Sequence, residues 1–185
     1  MTDKQITLDD GITLLSGVVF NHTAPHLCEH VTVDDLARPL SNICRFAGQM
    51  PYFYSVAQHA VNVARILPEE HQFTGLMHDT AEAFTNDIVT PLKHKVPLFR
   101  EIEQLIEADM AERFGFQYPL PPEVHLADRQ MLALEMKYIR GQDPTTWEHL
   151  NGIEFEHLRP KVWLHHMTPG EAYEAFMAML QELRP

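Results

Sequence analysis

The chain of 185 residues has the length of one domain, since domains usually hold about 100 to 200 residues. Its 14 lysines and arginines face 26 aspartates and glutamates, which gives a formal net charge of −12. This acidic balance argues against a nucleic-acid polymer as partner, because such binding requires a basic face. A small phosphorylated ligand needs only one or two local cations and is compatible with the composition.

The amino-terminal sequence and the cysteines bear on the compartment. Residues 1–5 lack the basic and apolar stretches of a secretory signal, and no early run approaches the about 18 apolar residues of a membrane span. Cys28 and Cys44 form neither a disulfide framework nor a CxxC pair. We therefore expect a cytoplasmic protein that does not associate with a membrane.

Helix-length segments dominate the hydrophobic pattern. Residues 6–8 and 12–14 alternate around Asp10-Gly11, which predicts a short β-hairpin with its turn there. Apolar stripes and end signals predict helices over residues 33–45, 55–67, 70–84, 98–114, 123–140 and 169–183. Thr90-Pro91 is assigned to a loop and 141–167 to an irregular segment. The expected fold is a single all-α domain over residues 1–185 with an N-terminal β-hairpin.

Two predicted helices carry ionisable side chains among their apolar positions. Asp128 and Glu135 fall inside the apolar stripe of 123–140, and His59 lies at the edge of the stripe of 55–67. A buried carboxylate is unfavourable unless it is paired, hydrogen-bonded, protonated or bound to a metal. These positions therefore predict a polar cluster inside the domain.

A third helix offers the same residue types. His78, Asp79 and Glu82 share one side of 70–84, with His78 and Glu82 one turn apart. Taken alone, these three residues are also compatible with an ordinary solvated face. Together with the buried groups, they favour one divalent cation, since imidazole and carboxylate both suit such ions.

The ordered set of His59, His78-Asp79 and Asp128 resembles the HD-domain metal-dependent phosphohydrolases, an all-helical superfamily. Within it, the chain is most similar to the bacterial 5′-deoxynucleotidases and their prophage-encoded relatives. The matching stretches lie between residues 40 and 135: LSNICRFAG at 40–48, YSVAQH at 54–59, LMHDTAEA at 76–83, NDI at 86–88, TPLK at 90–93 and AD at 127–128.

The resemblance implies an HD-domain helical bundle with one divalent metal ion. The implied ligands are His59, His78, Asp79 and Asp128. Mixed nitrogen and oxygen ligands suit Mn, Co, Ni, Fe or Zn, so the identity of the metal is left open. His94 and His125, which lie between the dipeptide and the last aspartate, are expected in a loop or on the surface.

The resemblance also assigns catalytic and substrate-binding roles. It implies that Glu82 and Asp87 act around the attacking water and the leaving group, and that Arg45 meets the substrate phosphate. Phe46 stands where some family members carry a sugar-sensing tryptophan, so selection of deoxyribose over ribose is left open. Lys93 is a further candidate for binding the phosphate.

The expected activity is hydrolysis of 2′-deoxynucleoside 5′-monophosphates, with the deoxynucleotide as a small-molecule partner. A dNTP triphosphohydrolase that releases tripolyphosphate, as in dATP-specific relatives, and a non-catalytic nucleotide-binding domain are the alternatives. The family likeness also implies a homodimer.

Three residues outside this set receive structural interpretations. Glu135 is expected to support Arg45 or a ligand histidine, or to be a capped core acid. Trp147 and Trp163 are expected to anchor the irregular segment to the core rather than to bind a base.

Overall fold

The computed structural model describes residues 11–184, which are mostly helical. Two short strands, β1 (Ile12–Thr13) and β2 (Val19–Phe20), precede the helices. The eight α-helices, in chain order, are α1 (Asp34–Asn42), α2 (Val56–Ile66), α3 (Glu69–Met77), α4 (Glu82–Thr85), α5 (Thr90–Lys93), α6 (Pro97–Phe114), α7 (Pro122–Tyr138) and α8 (Pro169–Leu183). The mostly helical class and the presence of a small hairpin agree with the sequence prediction.

The hairpin differs from the predicted one in its turn. β1 pairs antiparallel with β2, with Ile12 opposite Phe20. The chain reverses at residues 14–17, where Gly17 has a φ of 87° and donates its N–H to the Leu14 carbonyl at 2.9 Å. The predicted partner strand, residues 6–8, and Asp10 of the predicted turn lie outside the described residues.

The central helix of the fold is α2, which packs against α1, α3, α7 and α8. Nine consecutive residues, 56–64, are buried, as expected for a helix surrounded by protein. Ser55 caps its amino terminus by accepting the N–H of Gln58 at 3.1 Å. This position of α2 brings His59 into the interior, where it is 0% exposed.

The predicted continuous helix over 70–84 is wrong, because the structure divides it into α3 and α4. Between them the chain forms tight i→i+3 bonds, with Thr80 N–H donating to the Met77 carbonyl and Glu82 N–H to that of Asp79. The break contains neither proline nor glycine, so local sequence did not signal it. The turn directs Asp79 and Glu82 toward the same cavity.

The later helices follow their end signals. Prolines occupy the first turns of α6, α7 and α8, and Gly115 ends α6 in the left-handed conformation with a φ of 80°. The loop predicted at Thr90-Pro91 is wrong, since these residues begin the four-residue helix α5. Its proline is in the first turn, where a missing N–H costs little. Over residues 11–184, no helix has the length and apolar character needed to cross a bilayer.

Candidate metal centre

Three side chains from three helical segments converge at one point. His59 of α2, His78 at the end of α3 and Asp128 of α7 each offer one ligand atom, and these atoms lie within 4.8 Å of one another. The cluster could hold a metal ion. Residues separated by up to 69 positions meet there because α3 and α7 both pack against α2.

Both histidines are oriented by a hydrogen bond on the far side of the ring. His59 donates from Nδ1 to Glu135 Oε1 at 2.6 Å, and His78 donates from Nδ1 to the Gly75 carbonyl at 2.8 Å. A Cβ at Gly75 would lie 2.3 Å from Leu67 Cδ1, so a larger residue there would require the Leu67 side chain to shift. The two Nε2 atoms are buried, and neither has a hydrogen-bond partner among residues 11–184. Histidines that bind a metal ion usually have this arrangement, in which one ring nitrogen donates to a protein oxygen and the other is left for the metal.

Two aspartates complete the cluster. Asp79 Oδ1 lies 3.2 Å from His78 Nε2, and Asp79 Oδ2 lies 3.7 Å from His59 Nε2. Asp128 Oδ1 lies 3.1 Å from His59 Nε2 and 3.9 Å from His78 Nε2. The structure thus brings three of the implied ligands, His59, His78 and Asp128, to one point, and Asp79 lies beside the two histidines.

Asp128 is less enclosed than the sequence predicted. Its side chain is 41% exposed, although the helical stripe placed it toward the core. The reason is that this part of α7 faces a cavity rather than packed apolar side chains. Because Asp128 lies in the cavity wall, small molecules from solvent can reach the cluster.

The electrostatics of the cluster favour a cation. Burial and Arg45 each act to lower the pKa of His59, but Glu135 and Asp128 outweigh them and raise it to about 9. Burial alone would raise the pKa of Asp79, whereas His78, His59 and Arg45 hold it well below its usual range. The carboxylates around His59 and His78 therefore stabilise positive charge at this point, as they would stabilise a divalent cation.

Glu135 links the cluster to Arg45. It is 0% exposed, and its Oε2 accepts from Arg45 Nε at 3.1 Å while Oε1 accepts from His59. Burial acts to raise the pKa of Glu135, but Arg45 and His59 prevail and lower it. Of the two interpretations of Glu135 left open by the sequence, the structure selects the supporting partner, for both Arg45 and a candidate ligand.

A cavity of about 480 Å³ opens beside the cluster. Its charged lining includes Arg45, Asp79, Glu82, Asp87 and Asp128. Arg45 is followed by three residues with positive φ, of which Phe46 and Ala47 are not glycine. Phe46 N–H donates to Asp87 Oδ2 at 3.0 Å, so this strained turn and the loop after α4 are held together.

Lys93 lines the cavity and is also paired with two carboxylates. Its Nζ lies 2.8 Å from Glu103 Oε1 and 3.5 Å from Glu82 Oε1. Glu82 is 7% exposed, and its Oε2 has no hydrogen-bond partner within the described part of the chain. Burial, Asp79 and Asp87 raise the pKa of Glu82 well above its ordinary value, and Lys93 opposes this. Lys93 therefore lies at the cavity wall between two buried acids.

Sequence reasoning missed Glu103. It shares the buried face of α6 with Ile106 and Met110, which is the i, i+3, i+7 spacing of an apolar stripe. This is the same signal that singled out Glu135 in α7. In both helices, a carboxylate inside an apolar stripe is paired with a cationic side chain that lines the cavity.

Glu107, one turn beyond Glu103, gives a stability prediction. Burial, Glu103 and Asp79 raise its pKa to about 7. Because the pKa of Glu107 is higher in the folded protein than in the unfolded chain, its protonated form stabilises the fold. This contribution is complete below pH 4.5 and is lost as pH rises through about 7. Because Glu107 is half-buried, we expect Glu107→Gln to be about 1 kcal/mol more stable relative to wild type at pH 8 than at pH 4.5. Thermal unfolding at both pH values measures this difference.

The matched control is Glu101→Gln, which removes an exposed charge from the same helix. It should change stability by less than about 0.5 kcal/mol at either pH. An equal gain for Glu107→Gln at both pH values would contradict the assignment.

Comparison with known proteins identifies two relatives. The uncharacterized protein YfdR of Escherichia coli strain K12 is 39% identical over 155 residues, which cover 84% of this chain and 85% of YfdR. The uncharacterized protein RCAP_rcc00048 of Rhodobacter capsulatus is 30% identical over 125 residues, which cover 60% of this chain and 64% of that protein. No family model matches the chain.

Proposed function

This chain belongs to the family of Escherichia coli YfdR, and we propose that it is a metal-dependent phosphohydrolase acting on 2′-deoxynucleoside 5′-monophosphates. The observation that carries the proposal is the pair of buried, unpartnered Nε2 atoms of His59 and His78 beside Asp79 and Asp128. Their ligand atoms adjoin a cavity that also contains an arginine and further acids. Metal-dependent hydrolysis of a phosphate ester uses such groups to activate water, to neutralise the phosphoryl oxygens and to protonate the leaving group.

The donor set fits a divalent cation, which would be held by His59, His78, Asp79 and Asp128. Such an ion supplies an acidified water and neutralises charge on the phosphoryl oxygens. The protein prepares the ligands through Glu135 and the Gly75 carbonyl, which fix both imidazole rings with Nε2 toward the cluster.

Glu82 is the proposed general base. Its carboxylate takes a proton from the attacking water as the new bond to phosphorus forms. A raised pKa makes Glu82 a stronger base than an exposed glutamate, and Lys93 at 3.5 Å limits the rise. Glu103 holds Lys93 in this position.

Asp87 is the proposed proton donor. When the bond between phosphorus and the 5′ oxygen breaks, the leaving alkoxide takes a proton, and Asp87 lies in the cavity wall to give it. Asn86, with a φ of 66°, redirects the chain after α4 and places Asp87 there. The hydrogen bond from Phe46 N–H fixes the carboxyl group.

Arg45 is the proposed phosphate ligand. Its Nε is bonded to Glu135, and its Nη1 extends to within 3.7 Å of Asp79 Oδ2, at the edge of the cavity. The described lining holds one arginine and one lysine, Arg45 and Lys93, and each is also paired with carboxylates. Two such cations support a monophosphate over a triphosphate, whose greater charge requires more cations.

The decisive experiment is a product assay. Metal-stripped protein is reloaded separately with Mn, Co, Ni, Fe or Zn and incubated with dAMP, AMP and dATP. The proposal requires orthophosphate from dAMP and no reaction after chelation. Tripolyphosphate from dATP would select the triphosphohydrolase, and nucleotide binding without turnover would select the non-catalytic alternative.

Asp128→Asn tests the ligand set. The variant should fold but bind the cation at least about 100-fold more weakly, which is more than the loss usual for a residue that only supports a ligand, because it exchanges an anionic ligand for a neutral amide. Its hydrolysis rate should recover in part at high metal concentration. Calorimetric titration with Mn or Co measures the affinity.

His125→Ala is the control, because it removes an exposed histidine from the same helix and should leave the affinity unchanged. With 12 histidines in the chain, this control separates the cluster from incidental metal binding. Wild-type affinity in Asp128→Asn would exclude Asp128 as a ligand.

A further inference from the structure

We infer that Trp147, His149 and Leu132 form the surface that receives the nucleobase of the substrate. This inference rests on the proposed function, since it assigns a specificity site for the same reaction. All three residues line the cavity that contains Arg45 and Asp128. They come from α7 and from the segment after it, a part of the chain to which sequence reasoning gave no substrate role.

The cavity changes from charged to apolar along α7. Asp128 and Leu132 are four residues apart, which places them on one face of the helix about 6 Å apart along its axis. Asp128 belongs to the metal cluster, whereas Leu132 packs in a small apolar cluster that also contains Phe46 and Trp147. A nucleotide has the same order, with its phosphate at one end and an aromatic base, which has a stacking face, at the other.

Trp147 is the aromatic face open to such a ring. It is half-buried and lies 5.6 Å from the His149 ring, at an angle of 47°. The other aromatic side chain in the lining, Phe46, is already covered by the guanidinium groups of Arg45 and Arg140, at 5.6 and 4.5 Å from its centroid. Stacking of a base on one aromatic ring strengthens binding by about 5- to 150-fold, and an exposed imidazole can add a hydrogen bond to the base edge.

The segment that carries Trp147 is held against α7 before any ligand binds. Two 3₁₀ turns, 144–146 and 148–150, flank the tryptophan and contact α7. Asp143 caps the first turn by accepting from Thr145 N–H at 2.9 Å, and Leu150 of the second is 2% exposed. The expectation that Trp147 only anchors its segment is therefore incomplete, because these other contacts fix the segment while the ring faces the cavity.

Trp163 provides an internal comparison. Its ring is stacked under Arg65, at 3.9 Å from the guanidinium carbon, and it does not line the cavity. Its backbone carbonyl accepts from Gln58 and Asn62 of α2, which fixes the segment to the core. At Trp163 the backbone therefore joins the segment to the core, while the ring packs against Arg65.

The first test uses nucleosides, which carry no phosphate. The chain has 2 tryptophans, so Trp163→Phe leaves Trp147 as the only indole and Trp147→Phe leaves Trp163. Millimolar 2′-deoxyadenosine should quench the emission of Trp163→Phe and leave that of Trp147→Phe unchanged. Quenching confined to Trp147→Phe, or no quenching in either variant, would overturn the inference.

The second test separates base recognition from catalysis. Relative to wild type, Trp147→Ala should lower kcat/KM on dAMP by about 5- to 150-fold, chiefly through KM, which corresponds to the loss of one stacked base. Activity on 2-deoxyribose 5-phosphate, which lacks the base, should be unchanged, and Trp147→Phe should restore most activity on dAMP. Equal losses on both substrates would assign Trp147 a merely structural role.

If wild-type protein hydrolysed neither compound, the proposed function would fail. The nucleoside titration would still decide whether Trp147 lies in a base-binding surface, so the two failures are distinguishable.

Discussion

Glu82→Gln is expected to lower kcat by about 10²- to 10⁴-fold, the contribution usual for a general base. Glutamine has nearly the same volume and keeps an oxygen near Lys93 Nζ, which lies 3.5 Å from Glu82 Oε1. It cannot take a proton from water. Because Glu82 is not among the four implied ligands, the variant should keep its cation.

Single-turnover hydrolysis of dAMP, with metal content measured on the same sample, tests this expectation. Glu101→Gln, an exposed change on α6, should retain wild-type kcat. If Glu82→Gln retained wild-type kcat, Glu82 would have no part in proton transfer. If the cation were lost together with activity, Glu82 would be a ligand or a support of one.

Glu135→Ala is expected to destabilise the metal-free protein by about 3–5 kcal/mol. The substitution removes the acceptor of both Arg45 Nε and His59 Nδ1, and all three side chains are 10% exposed or less. Stability falls because the Arg45 guanidinium is left buried without its carboxylate partner, and because the smaller alanine leaves a cavity. The midpoint of thermal unfolding should fall by about 6–20 °C for a chain of this size.

Metal affinity supplies an independent readout of the same variant. Loss of the carboxylate behind a ligand histidine typically weakens binding by about 10- to 100-fold. Glu135→Gln keeps the shape and an acceptor for Arg45, so its loss of stability should be smaller. Arg129→Ala, an exposed change on α7, should alter stability by less than about 0.5 kcal/mol. An unchanged unfolding midpoint in Glu135→Ala would show that the buried network is dispensable.

The helices that could be predicted are those whose signals are local. α6 and α8 begin within one residue of their predicted starts, because apolar periodicity and a proline in the first turn depend only on neighbouring residues. The division between α3 and α4 could not be predicted in this way. Residues 78–81 contain neither glycine nor proline. The tight turn there lies between α3, which packs against α2, α7 and α8, and α4, which packs against α1.

The candidate site shows the same division between local and long-range information. Carboxylates inside apolar stripes marked Glu135 and, by the same rule, would have marked Glu103. The sequence did not show that Glu103 pairs with Lys93, nor that Trp147 faces the cavity. The first depends on how α5 packs against α6, and the second on how the segment after α7 packs back against that helix.

The sequence by itself determined that this protein is mostly helical and that its interior contains histidine and carboxylate groups needing compensation. The tertiary structure alone decided which atoms compensate them. Ring orientation at His59 depends on Glu135, 76 residues away along the chain, and the commitment of Lys93 to Glu82 and Glu103 depends on how α5 meets α6. Periodicity reports the face of a helix on which a side chain lies, whereas the partner of that side chain is fixed only when the helices pack.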